Sequence, residues 1–141
     1  MKCTAAVENG LGNSPSFSLN PRSVRVDRVN MPANFSLFTH HRSECHMSQV
    51  IQLTHAFDRN DVLLLMYVLH QSTDMREPLL DVGGNLGIFT MGAAAAGFCA
   101  VTFEPLAYNT ELLLASVAFN HFGRAVRLFK AAAALTCASH F

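Results

Sequence analysis

The stretch Leu79-Leu80-Asp81-Val82-Gly83-Gly84-Asn85-Leu86-Gly87-Ile88-Phe89-Thr90 constrains what this chain can fold into more than any other. Apolar residues run into an acid, and three glycines and an asparagine follow. A small-residue segment, 92–97, then leads to a second apolar run that ends Val101-Thr102-Phe103-Glu104-Pro105. This order predicts strand, Gly-rich turn, helix, strand and acid, the arrangement of nucleotide-binding α/β domains. Glycine admits positive φ and has no Cβ to hold a ligand off the backbone. The helix that starts there turns its unpaired N–H groups toward the crevice. Glu104 stands twenty-one residues after Gly83, near the offset of about twenty at which a strand-end acid accepts hydrogen bonds from ribose hydroxyls.

The spacing of the glycines narrows the choice of nucleotide. A dinucleotide fingerprint sets them at relative positions one, three and six, and Gly83, Gly84 and Gly87 do not satisfy that from any start. An NAD-dependent oxidoreductase domain is disfavoured for this reason, and because Asp81 would repel a pyrophosphate beside it. Read as Asp-x-Gly-x-Asn-x-Gly, the stretch resembles the first motif of class I S-adenosylmethionine-dependent methyltransferases. That cofactor carries an amino group and a sulfonium but no phosphate, so Asp81 has a cationic partner to hold.

With Phe103-Glu104-Pro105 and the segment 113–120 added, residues from about 60 to 134 resemble the FkbM family of methyltransferases. The resemblance implies an α/β, Rossmann-like methyltransferase fold with S-adenosyl-L-methionine as cofactor. It implies a cofactor site of Asp81, Gly83, Gly84, Asn85, Gly87, Glu104 and Pro105, and methyl transfer to an oxygen of a small molecule or glycan. Ser116 departs from the family, which often has an asparagine there, and the residues after Ala134 do not continue its pattern. No residue is singled out as a catalytic base; His121, near a helix end, is assigned to complementing the helix dipole. The alternative is a non-catalytic nucleotide-binding or interaction module, a truncated pseudoenzyme whose exposed sheet edge meets a partner.

At 141 residues the chain has room for one core. Half of it is hydrophobic and 14% is charged, which suits a buried parallel sheet and argues against global disorder. A formal net charge of zero offers no electrostatic case for nucleic acid or an anionic membrane. Cys3, Cys45, Cys99 and Cys137 are scattered and form no Cys-x-x-Cys pair, so free thiols in a reducing compartment are expected. The N-terminus has no apolar core of a signal peptide, and no apolar run is long enough to span a bilayer. Together these point to a cytoplasmic protein. Asn34-Phe35-Ser36 is a glycosylation sequon that this setting would leave idle.

Residues 1–23, rich in Asn, Gly, Ser and Pro, read as a flexible leader. Residues 24–78 read as an N-terminal extension: short strands at 24–26 and 35–38, then helices at 48–57 and 62–70. Asn60 or Asp61 is the expected cap of the second helix. That helix is apolar almost all round, which predicts burial against the sheet. Arg22, Arg25 and Arg28, with Asp27 among them, read as a solvated strand face. The segment His40-His41-Arg42-Ser43-Glu44-Cys45-His46 offers metal-ligating residue types. Zinc sites draw ligands from two separated clusters, so this reads as a polar loop and no metal site is assigned. Residues 79–141 read as a partial Rossmann-like methyltransferase domain. Its parallel strands fall near 79–82, 100–103 and 126–130, with helices at 88–96 and about 107–121. The full fold needs further strands, so the domain is expected to be truncated after its third core strand.

Overall fold

The computed structural model describes residues 24–30, 33–71 and 77–132; the expected leader, 1–23, lies outside them, as does the segment after residue 132. Strands β1 (Val24–Val29) and β2 (Phe35–His40) form an antiparallel hairpin, followed by helices α1 (His46–Thr54) and α2 (Arg59–Gln71). Then β3 (Leu79–Val82), α3 (Ile88–Ala95), β4 (Ala100–Phe103), α4 (Ala107–Phe119) and β5 (Val126–Phe129) alternate. The last three strands make one parallel sheet in the order β3-β4-β5, with Leu80 opposite Val101 and Val101 opposite Arg127. The chain is therefore α/β, and its strand-helix alternation is compatible with a Rossmann-like fold.

The sheet shows two unlike faces because side chains alternate along each strand. Ala100, Thr102 and Val126 are buried under α3 and α4, and Leu79, Asp81 and Leu128 are partly so. On the other face Leu80 and Val82 are 63% and 57% exposed, and Phe103 stacks on Phe129 with ring centroids 5.1 Å apart. Among the described residues no helix covers this second face, although the composition suited a sheet buried on both sides.

Helix α3 lies between the sheet and the N-terminal extension, and this explains its small side chains. Ile88, Thr90, Met91, Gly92, Ala93 and Ala94 are all buried. A Cβ on Gly92 would sit 3.4 Å from Val62 of α2 and 4.0 Å from Phe35 of β2. Both elements therefore approach the helix at van der Waals distance.

The hairpin is held by side chains standing in for a neighbouring strand. Antiparallel strands leave every second residue's N–H and C=O pointing away from the partner. On β2 these are Ser36, Phe38 and His40. The Ser36 N–H donates to Asn120 Oδ1 at 2.9 Å, and Asn120 Nδ2 donates back to the Ser36 carbonyl at 2.7 Å. The Phe38 N–H donates to Ser116 Oγ at 2.8 Å. His40 is held by Ser48 Oγ and Gln52 Nε2 of α1. Five of the six outward groups on this open edge are satisfied without another strand. Ser116, where the FkbM pattern favours asparagine, has a definite role here: it also donates to the Leu112 carbonyl.

Four expectations are corrected. Helix α2 fully buries only Val62 and Met66, with Leu65 and Leu69 partly buried beside them, while Leu64 and Tyr67 are 62% and 64% exposed; it packs chiefly on α3 through one narrow stripe rather than on the sheet. It starts at Arg59, after Asp58 at φ +46°, so Asn60 and Asp61 lie inside its first turn. Asp27 is buried and accepts a hydrogen bond from Thr39 Oγ1 at 2.7 Å, while Arg25 and Arg28 remain exposed. Cys99 is disulfide-bonded and Cys45 is free, so the expected free thiol holds at Cys45 and not at Cys99. No helix of the described residues is long and apolar enough to cross a membrane.

The one-stripe packing of α2 has a measurable consequence. Met66→Ala is expected to cost about 2–5 kcal/mol by opening a cavity, and Leu64→Ser to change stability by less than about 0.5 kcal/mol. Urea denaturation of the two variants checks this; a comparable loss at Leu64 would place the buried face of α2 elsewhere.

Candidate functional site

The candidate crevice lies at the C-terminal ends of β3 and β4, where the Gly-rich turn meets the start of α4. The turn is hooked to the end of β4: the N–H groups of Gly83 and Gly84 both donate to the Phe103 carbonyl, at 2.8 and 3.1 Å. The Gly87 N–H closes the turn on the Gly84 carbonyl at 2.7 Å. Helix α3 then begins with no side-chain cap, which leaves its first N–H groups to whatever enters.

The three glycines serve different needs. Gly83 has φ +85° and nothing within 4 Å of where a Cβ would stand. Its left-handed backbone faces open space, as a surface for ligand approach requires. Gly84 and Gly87 instead permit close packing inside the protein. Their Cβ atoms would fall 2.3 Å from Thr102 Cγ2 and 2.2 Å from Leu113 Cδ1. Asn85 between them adopts φ +51°, a conformation asparagine tolerates better than most residues.

Glu104 closes the site on the β4 side. It is 3% exposed, and its two oxygens accept the backbone N–H of Asn85 at 2.7 Å and of Leu106 at 2.8 Å. The acid expected at the strand tip is there, but its two oxygens brace two loops. A carboxylate accepts about four hydrogen bonds, so the two amides leave capacity for hydroxyls. Pro105 and Leu106 follow it and are exposed, giving apolar surface beside the acid.

Asp81 projects under α3 on the helix-facing side of the sheet. Thr90 Oγ1 donates to its Oδ2 and lies 2.7 Å from Thr102 Oγ1. Thr90 and Thr102 are fully buried, so this polar cluster has no water to fall back on. Thr90→Val, close in shape, is expected to cost about 1–3 kcal/mol by leaving buried oxygens unpaired. A urea midpoint equal to wild type would show that the cluster contributes nothing.

A further chain of contacts joins the turn to the hairpin. Asn109 Nδ2 donates to Asn85 Oδ1 at 3.1 Å, and Asn109 Oδ1 lies 2.8 Å from His40 Nε2. The His40 ring packs on Tyr108 at 4.8 Å between centroids. His40 is therefore the last residue of β2 and part of this network, which corrects its assignment to a polar loop. Among the described residues no three of His, Cys, Asp and Glu come together as metal ligands.

Gly83, Gly84, Asn85, Gly87 and Glu104 thus converge, with Pro105 on the rim and Asp81 behind the turn. Sequence reasoning missed Thr90, Thr102, Asn109 and His40. For α4 a signal existed: Asn109, Ser116 and Asn120 recur at seven and four residues, one polar stripe on a helix otherwise rich in leucine and alanine. No family model, no curated protein and no solved structure matches this chain.

Proposed function

We propose that this chain is an S-adenosyl-L-methionine-dependent methyltransferase of FkbM type, acting on an oxygen of a small molecule or glycan. The observation that supports it most is the pairing of Gly83, open to approach at φ +85°, with Glu104 at the neighbouring strand end. When bound, the cofactor supplies a methyl group on a sulfonium for in-line displacement. The protein's part is then proximity and orientation. Glu104 uses its remaining acceptor capacity on the ribose hydroxyls, and Pro105 and Leu106 offer apolar surface to the base. Asp81 attracts the cofactor's amino group through its charge, its Oδ2 being steadied by Thr90.

Calorimetry of the full chain with S-adenosylhomocysteine and, separately, with NAD tests this reading. The first is expected to bind, and Gly83→Val to weaken it by filling the open space. Tighter binding of NAD would replace the reading with an oxidoreductase domain. The exposed face carrying Leu80, Val82 and Phe129 favours a second reading, a non-catalytic interaction module. Self-association in analytical ultracentrifugation, with no affinity for either nucleotide, would favour that module instead.

A further inference from the structure

We infer that His40 is a positioning residue of the cofactor site, acting on the Gly-rich turn from the N-terminal hairpin through Asn109. The inference rests on the cofactor reading above and extends that site beyond the segment of the strand-end motifs. His40 Nε2, Asn109, Asn85 and Glu104 form one unbroken series of hydrogen bonds: 2.8 Å from His40 Nε2 to Asn109 Oδ1, 3.1 Å from Asn109 Nδ2 to Asn85 Oδ1, and 2.7 Å from the Asn85 N–H to Glu104 Oε2.

The directions of these bonds follow from the chemistry of the groups. An amide oxygen only accepts, so Nε2 of His40 carries the proton it shares with Asn109 Oδ1. That leaves the Asn109 NH2 to donate to Asn85 Oδ1. The side chain of Asn85 is thereby held while its own N–H donates to the acid that the cofactor ribose would use. Asn85 sits in the left-handed region at φ +51°, a state that persists where surrounding contacts over-determine it. The contacts that do so here come from outside the turn.

His40 is itself firmly placed. Its N–H donates to Ser48 Oγ at 3.1 Å, its carbonyl accepts from Gln52 Nε2 at 2.9 Å, and its ring rests on Tyr108. The hairpin and α1 thus set the ring, the ring sets Asn109, and Asn109 sets the turn. Substitution of His40 changes the geometry offered to the cofactor without touching the glycines or Glu104.

The test uses the full chain, with S-adenosylhomocysteine as probe in calorimetry and amide hydrogen exchange at Asn85 by NMR. His40→Leu removes the donor, and His40→Gln retains an N–H near the position of Nε2. Asn109→Asp keeps an acceptor for His40 but loses the donor to Asn85, and a carboxylate in the first turn of α4 suits the helix N-terminus. His40→Leu and Asn109→Asp are expected to weaken binding by roughly three- to tenfold, the change for one net hydrogen bond, and to speed exchange at Asn85. His40→Gln is expected to stay near wild type in both. Wild-type affinity and Asn85 exchange in His40→Leu would overturn the inference, and so would an equal loss in His40→Leu and His40→Gln, which would mark ring packing as the cause. Absence of binding by the wild type overturns the cofactor reading itself, and the Asn85 exchange rates then decide the loop-holding role alone.

Discussion

Glu104→Ala is expected to lower stability, because the carboxylate holds the turn, and, on the proposed cofactor reading, to lower affinity with it. Its oxygens take the N–H groups of Asn85 and Leu106 at 2.7 and 2.8 Å in a site that is nearly sealed from water. A hydrogen bond to a charged group contributes about 1.5–3 kcal/mol, and a buried donor left without a partner adds its desolvation cost. Relaxation of the turn recovers part of that, so a loss of about 3 kcal/mol is the expected result in urea denaturation. If the cofactor reading holds, affinity for S-adenosylhomocysteine should fall roughly tenfold to a hundredfold, from loss of the proposed ribose contacts and from the loosened turn. Glu104→Gln separates the two effects. It can accept one amide but must set its NH2 against the other, so it should recover part of the stability. An unchanged urea midpoint for Glu104→Ala would show that the two bracing bonds contribute nothing net.

Gly87→Ala should be comparably damaging, for a different reason. The added carbon falls 2.2 Å from Leu113 Cδ1, and Leu113 is fully buried, so it has nowhere to turn. Overpacking of this kind costs about 1–3 kcal/mol. A non-glycine residue at φ +91° adds roughly 1–2 kcal/mol of backbone strain. The expected sum is about 2–5 kcal/mol. Gly83→Ala is the control: φ is +85° but no atom lies within 4 Å, so only the strain remains. Urea denaturation of the pair measures the difference. Equal losses at the two positions would remove close packing as the reason for Gly87 and leave backbone conformation alone.

The comparison of these two glycines also marks how far local pattern reaches. The run from Leu79 to Gly87 and the second run ending at Glu104 were sufficient for the first two parallel strands and for the glycines that gather at the strand ends, and the leucine-rich segment 107–121 and the apolar run 125–130 supplied the last helix and the third strand. Strand propensity, helix-compatible alanines and the conformational freedom of glycine act over a few residues, and a few residues are enough to read them. Whether a glycine answers to backbone φ or to a neighbour is another matter. Gly84 and Gly87 are needed because Thr102 and Leu113, distant in the chain, come close to them.

The same division holds across the molecule. Helix α2 looked buried because its residues are apolar, but burial depends on which partners exist to cover it; Val62 and Met66 are fully covered, Leu65 and Leu69 only in part, and the rest face outward. Thr90 and Thr102 are an ordinary helix residue and an ordinary strand residue until the fold sets their hydroxyls 2.7 Å apart beside Asp81. His40 sits sixty-nine residues from Asn109, and no periodicity relates them. Periodicity along the chain places residues on faces of helices and strands, because it follows from the geometry of each element alone. Contacts between faces depend on how elements pack, and that is where Glu104 becomes a brace, Ser116 and Asn120 replace a missing strand, and the hairpin gains its hold on the Gly-rich turn.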